Sequence, residues 1–224
     1  MQLVATFLCV IRDVPPASDS EIDVVFFDWG GVLTDLPSIV IPKVMDEFGV
    51  KRTPSEERTD DAMERFHQLE RGEITLAVYL DAARRANPGS ERLWNPDDDA
   101  FVYPRLLPRP AVVASVAAVR EAGYRTALLS NNVAEYWDSV LDTLDADQLF
   151  ETTFNSAHVG HRKPESAMYE HALEAMGVAA DRSLFLDDNT ANIEGAVAVG
   201  MRTIEVNSSD HHLFDQLHRA LAGG

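Results

Sequence analysis

Short, wholly apolar runs alternate along this chain with longer stretches in which apolar residues recur every three to four positions. The short runs read as strands buried on both faces and the longer ones as amphipathic helices, an order typical of βαβ units. Strands are expected at Val24–Phe27, 125–129, Thr152–Asn155, 183–186 and 202–206. Helices are expected at 110–122, 134–144, 164–176 and 190–199, with a closing helix from about 211. Gly123, Gly177 and Gly200 each follow a helical run, where a left-handed C-terminal cap would put them. Pro110 and Pro164 stand where helices begin. The pattern predicts an α/β fold, a doubly wound parallel sheet of five strands.

One interval breaks the alternation. Between residues 36 and 107 no good strand appears, only helical patterning such as 62–70 and Leu76–Ala86, punctuated by Asn87-Pro88-Gly89 and Asn95-Pro96. This reads as a helical module inserted after the first strand. The expected division is an extension at 1–21, a core at 22–36 and 108–224, and an insert at 37–107. Within the extension, 3–11 is apolar but lacks a basic leading region and a small-residue cleavage site, against a signal peptide. An edge strand, a frayed extension and a misassigned start all fit it. Phe66, Leu69, Leu76 and Tyr79 fall at helical spacing as the insert's own core. The acidic run Asp97-Asp98-Asp99 suits a solvated helix start.

Composition narrows the class of partner. The 224 residues carry a formal charge of -18, which repels nucleic acid and anionic lipid. No apolar stretch reaches the length of a membrane span. The single Cys9 permits no internal disulfide and fits a reducing cytoplasm, so a cytoplasmic location is expected. Only three of the 19 basic residues are Lys. A salt-rich habitat and a GC-rich genome would both produce that bias.

Candidate chemistry gathers at strand ends, where open α/β sheets bind ligands. Asp28 ends the first strand and is followed by Gly30 and Gly31, which permit a sharp turn and close backbone approach. Ser130, Asn131 and Asn132 end the second expected strand and offer donors to an anion. Lys163 precedes a helix, beside a terminus suited to anions. Asp187 and Asp188 end the fourth; adjacent carboxylates repel unless a cation neutralises them. An all-oxygen set without a Cys/His cluster points to Mg²⁺ rather than zinc.

Asp28, Ser130, Lys163 and Asp187-Asp188 resemble, in order and spacing, the four motifs of the haloacid dehalogenase (HAD) superfamily, across about residues 24–206. The insert sits where that superfamily carries its C1 cap. Glu70-Arg71-Gly72-Glu73-Ile74, and Asp187-Asp188-Asn189 running on to Asn192-Ile193-Glu194-Gly195-Ala196, resemble the branch of sugar-1-phosphate phosphatases and the epoxide hydrolase N-terminal phosphatase domain. The resemblance implies a Rossmann-like core and a Mg²⁺-dependent phosphatase acting on a small phosphorylated metabolite. It makes Asp28 the nucleophile, with Ser130, Asn131 and Lys163 binding phosphate. It gives the metal to Asp28, the Gly30 carbonyl and Asp188, with Asp187 acting through water or hydrogen bonds. Asn192 falls where a further acidic residue often stands and takes a supporting role.

The departure is Gly30, where most phosphatases of this superfamily carry a second Asp as general acid and base, a function worth about 10²–10⁴-fold. Three readings follow. The enzyme manages with a good leaving group, such as an anomeric oxygen. Alternatively it breaks another bond, as dehalogenases or phosphonoacetaldehyde hydrolases do, with Lys43 and Lys51 the available insert lysines. Or it is a catalytically faded binding protein. His158 and His161 flank Gly160 and are weaker acid-base candidates, and Trp29 reads as a packing residue.

Overall fold

The computed structural model describes residues 14–49, 60–86, 92, 95, 106–206 and 210–223. Cys9, Lys51, the breakers at 87–89 and the acidic run at 97–99 lie outside these. The strands are β1 (Val24–Phe27), β2 (Arg125–Ser130), β3 (Thr152–Asn155), β4 (Ser183–Asp187) and β5 (Arg202–Glu205). They form one parallel sheet in the order β3-β2-β1-β4-β5, the doubly wound arrangement expected. The chain winds outward from β1 through β2 to β3, then returns to the other side of β1 with β4. The crevice of such a sheet opens at that reversal, over the carboxyl ends of β1 and its neighbours.

Alternation of side chains divides the core between two faces. Val25 and Phe27 join Leu128, Leu184 and Leu186 on one side. There they pack against α4 (Pro110–Glu121), α5 (Trp137–Leu144) and α10 (Asp210–Leu221). Val112, Val116 and Val119 of α4 and Leu213, Leu217 and Leu221 of α10 supply the helical stripes. Val24 and Phe26 point the other way with Ala127, Leu129 and Phe185. They meet α8 (Ser166–Met176) and α9 (Thr190–Ala198) through Met168, Tyr169, Ala172 and Ala196. β1 is therefore apolar at every position because it is covered on both faces. The short α6 (Ala146–Leu149) and α7 (Ser156–Val159) flank β3.

Between β1 and β2 lie α1 (Pro37–Glu47), α2 (Asp60–Glu70) and α3 (Leu76–Ala86), with no strand among the described residues. Leu69, Leu76 and Leu80 form an apolar cluster with Phe66, Ile74 and Tyr79 that also takes in Val133 and Tyr136. The Phe66 and Tyr79 rings lie 5.8 Å apart. Leu76 N–H donates to Glu135 Oε1 at 2.8 Å, tying α3 to the segment after β2. The chain leaves and re-enters side by side: Thr34 and Pro108 form an antiparallel bridge, and Arg109 N–H donates to Leu33 O.

Two expected helix starts are displaced: residues 134–136 form a 3-10 turn before α5 begins at Trp137. Pro164 does not open α8, which begins at Ser166 with Glu165 as its N-cap. Residues 162–165 instead form a turn closed by Glu165 N–H donating to Arg162 O at 2.8 Å. Gly123, Gly177 and Gly200 adopt positive φ at helix ends, as their positions implied. No helix among the described residues is long and apolar enough to cross a membrane.

Phe26, with neighbours on both adjacent strands and its ring 6.5 Å from that of Phe154, lies at the centre of the second core face. Its replacement by Ala should cost about 3–5 kcal/mol of unfolding free energy in urea titrations. A cost below about 1 kcal/mol would contradict the packing described.

Candidate active site

Asp28 leaves β1 as its last pleat ends, and its carboxylate caps the following turn by accepting the Trp29 N–H at 2.7 Å. That turn, Trp29–Leu33, contains Gly31 at φ +81°, a left-handed conformation disfavoured for side-chain-bearing residues. A Cβ on Gly31 would also overlap the Asp188 carboxyl. Gly31 is thus needed twice, for the turn and for the approach of the acidic pair. Thr34 closes the turn, its backbone N–H donating to Trp29 O at 3.1 Å. Trp29 itself is buried in the core beneath the crevice, as a packing residue.

The Lys163 ammonium stands between two carboxylates, 2.9 Å from Asp28 Oδ1 and 2.6 Å from Asp187 Oδ2, and is fully shielded from solvent. It also lies 5.1 Å from the centre of the Phe185 ring. Its backbone is held by Asn131 through reciprocal bonds. Lys163 N–H donates to Asn131 Oδ1 at 2.8 Å, and Asn131 Nδ2 donates to the Lys163 carbonyl at 2.9 Å. Asp187 is equally well supplied with donors. Asn189 N–H reaches Oδ1 at 2.8 Å, and Asn192 Nδ2 lies 3.1 Å from each carboxylate oxygen. Tyr169 O–H in turn donates to the Asn192 carbonyl at 2.7 Å.

Asp188 completes the group: ligand atoms of Asp28, Asp187 and Asp188 all lie within 4.8 Å of one another. Asp188 is half-buried and forms no ion pair with a described residue. Three carboxylates therefore share one ammonium in a shielded pocket. Burial, aided by Asp187 and opposed by Lys163, pushes the Asp28 carboxyl up to about 8. Burial and Asp187 likewise push Asp188 up to about 6. For Lys163, burial works against the charge, but Asp187 and Asp28 outweigh it and hold the ammonium above its ordinary value. The surplus negative charge and all-oxygen donor set fit a hard divalent cation such as Mg²⁺.

The structure thus brings Asp28, Asn131, Lys163, Asp187, Asp188 and Asn192 into one connected group. Ser130 is buried at the end of β2, adjacent to β1, and Gly30 lies within the turn after Asp28. No hydrogen bond among the described residues links either to the charged group. His158 and His161 are exposed, and Lys43 is exposed on α1, so none belongs to it.

Two residues join this neighbourhood whose pairing the sequence does not announce, although Glu70 opens the Glu70-Arg71-Gly72-Glu73-Ile74 motif. Glu70, at the end of α2, is only 6% exposed and accepts from Arg162 Nε at 2.7 Å, immediately beside Lys163. Their separation of 92 positions hides the pair.

A family profile described as haloacid dehalogenase-like hydrolase matches residues 22–200. Haloacetate dehalogenase H-2 of Moraxella is 31% identical over 105 residues, covering 47% of this chain and 47% of the dehalogenase. The chain thus spans about half the length of that curated relative. A sesquiterpene phosphatase of Aspergillus oryzae is 28% identical over 186 residues, covering 82% of this chain and 89% of the other. Among solved structures, a HAD family enzyme of Bacteroides thetaiotaomicron in a magnesium complex superposes with a TM-score of 0.68. Its identity is 25%, over 87% of this chain and 98% of that one.

The raised carboxyls have a consequence for the metal-free protein. Asp28 and Asp188 hold protons in the folded state above their unfolded pKa values near 4, so folded stability declines as pH rises from about 4 to about 8. Lys163 titrates far above that window and adds no slope there. In EDTA the melting temperature should therefore fall between about pH 5 and pH 8, and less so in Asp28→Asn. Added Mg²⁺ should raise it most at the alkaline end. Identical pH profiles for wild type and Asp28→Asn would contradict this.

Proposed function

The chain belongs to the haloacid dehalogenase-like hydrolases, and on that premise we propose that it is a Mg²⁺-dependent phosphatase of small phosphorylated metabolites. The observation that carries the proposal is the convergence of the Asp28, Asp187 and Asp188 carboxylates, two of them held by the buried Lys163. A dehalogenase nucleophile needs no metal, whereas a carboxylate attacking a phosphate dianion must overcome repulsion between like charges. The sesquiterpene phosphatase, matched over most of both chains, supports the same reading, as does the magnesium held by the Bacteroides enzyme.

Asp28 attacks phosphorus, forming an O–P bond as the bond to the leaving-group oxygen breaks. Lys163 binds the phosphoryl oxygens and, through its contacts with Asp28 and Asp187, keeps the nucleophile oriented. Asn131 anchors the Lys163 backbone, and Ser130 with Asn131 presents donors from the end of β2. Water then attacks the aspartyl-phosphate, releasing phosphate and restoring Asp28. Mg²⁺, when bound by Asp28, the Gly30 carbonyl and Asp188, supplies charge that lets carboxylate and phosphate approach. Asp187, its oxygens already accepting from Lys163, Asn189 and Asn192, aligns the lysine and supports the metal indirectly. No side chain exists at position 30 to protonate the leaving group, so solvent supplies that proton.

p-Nitrophenyl phosphate should be hydrolysed with Mg²⁺ and not in EDTA. Asp28→Asn should lower kcat by at least about 10³-fold, the scale of removing a nucleophile that acts as one unit with its neighbours. Wild-type enzyme quenched during turnover should carry phosphate on Asp28 by peptide mass spectrometry. Absence of turnover across a panel of phosphate monoesters would overturn the reading. Halide release from haloacetate in EDTA would replace it with the dehalogenase alternative, in keeping with the Moraxella relative.

Gly30 generates a second test. Across aryl phosphates of rising leaving-group pKa, the wild-type rate should fall steeply, because the departing oxygen receives no proton from the protein. Gly30→Asp should flatten that dependence. An equally flat profile in the wild type would show that another side chain donates the proton.

A further inference from the structure

The turn that ends α2 grips the turn bearing Lys163 at two points and the preceding α7 at a third. Glu70 accepts from Arg162 Nε at 2.7 Å, with the two side chains 8% and 16% exposed. Arg71 Nη1 lies 3.4 Å from Glu165 Oε1. Gly72, at φ +69°, presses so closely on α7 that a Cβ there would overlap the Ala157 carbonyl. Glu165 is itself bonded to Arg162: its backbone N–H donates to Arg162 O at 2.8 Å, and its Oε2 accepts the Arg162 N–H at 3.3 Å. Glu70, Arg162, Glu165 and Arg71 thus link the 70–73 turn to the 162–165 turn, and Lys163 lies within the latter. Asn131 holds Lys163 from the sheet side; this linkage holds it from the insert side.

We propose that Glu70 and Arg162 are positioning residues for Lys163, so that the ammonium is correctly set only while the 70–73 turn is docked. A shielded ion pair that loses one partner leaves the other charge uncompensated, so removing either Glu70 or Arg162 weakens the hold of the 70–73 turn on the 162–165 turn. Lys163 contacts Asp28 and Asp187 through a single nitrogen, so a shift of about 1 Å would disturb at least one of these contacts and misplace the ammonium. Seating of the insert is thereby transmitted to the nucleophile through the Lys163 turn. The inference deepens the phosphatase reading and rests on it for the kinetic part only.

The test combines hydrogen–deuterium exchange with kinetics in Glu70→Ala, Glu70→Gln, Arg162→Ala and the double variant Glu70→Ala/Arg162→Ala. Exchange in peptides spanning 157–165 should rise in Glu70→Ala while peptides from β1 and β4 stay protected. Glu70→Gln, which keeps an acceptor for Arg162, should restore much of that protection. With p-nitrophenyl phosphate and acetyl phosphate, Glu70→Ala should lower kcat by on the order of ten- to a hundred-fold, equally for both substrates. The double variant should be no worse than the poorer single one, because both remove the same linkage. Unchanged exchange at 157–165 in Glu70→Ala and Arg162→Ala overturns the proposal, as do additive losses in the double variant. A loss confined to one substrate also overturns it, by making Glu70 a leaving-group contact. Exchange is read without turnover, so an inactive wild type would sink the phosphatase reading while the positional claim is still decided.

Discussion

A single buried ammonium facing three carboxylates is the constraint around which this structure is organised. Moving a charge out of water costs several kcal/mol even after relaxation, and Lys163 and Asp187 are both fully shielded. Their pairing offsets much of that cost for those two, yet leaves Asp28 and Asp188 with more negative charge than the pocket can balance. The neighbouring groups address this piecemeal. Asn189 and Asn192 donate to Asp187, the Trp29 N–H donates to Asp28, and Asn131 holds Lys163 in place. The remaining imbalance appears as the upward displacement of the Asp28 and Asp188 carboxyls, which a bound cation would reverse. Because the imbalance lies where ligands enter an open α/β sheet, it is better read as readiness for a ligand than as a folding defect.

The sheet makes that arrangement possible. Asp28 and Asp187 end neighbouring strands, with Phe27 in register with Leu186, so the next residue on each strand carries its carboxylate to the same height. The order β3-β2-β1-β4-β5 makes β1 and β4 parallel neighbours, so the residues that follow this register stand side by side at the same end of the sheet. Gly31 then removes the one obstacle to Asp188 joining them.

Much of this was legible in the chain because it depends on local features. Four apolar residues in β1 announced a strand covered on both faces, and Asp28 followed it directly. The acidic pair was visible for the same reason, standing at an abrupt change from apolar to polar, and Lys163 from its place just before a helix. Where the reading failed, the determinant was not local. Pro164 resembles a helix-opening proline, but the turn closed between Glu165 and Arg162 delays α8 by two residues. Glu70 stands in a motif the sequence shows, but its pairing with Arg162, 92 positions away, appears only in the fold. Trp29, polar at one atom and large, was correctly assigned to packing, because a bulky ring next to a buried strand has little access to solvent.

The protein's charge bears on which substrates this pocket would accept. A surface of net charge -18 opposes the approach of any phosphate dianion, so attraction must come from within a few ångströms of the site. Among the described residues Lys163 is the one cation in the cluster, and its charge is already engaged by Asp28 and Asp187. A phosphoryl group entering there would compete with Asp28 for Lys163, which favours the dianion only once a metal has taken up part of the carboxylates' charge. On the phosphatase reading, metal loading therefore precedes productive substrate binding.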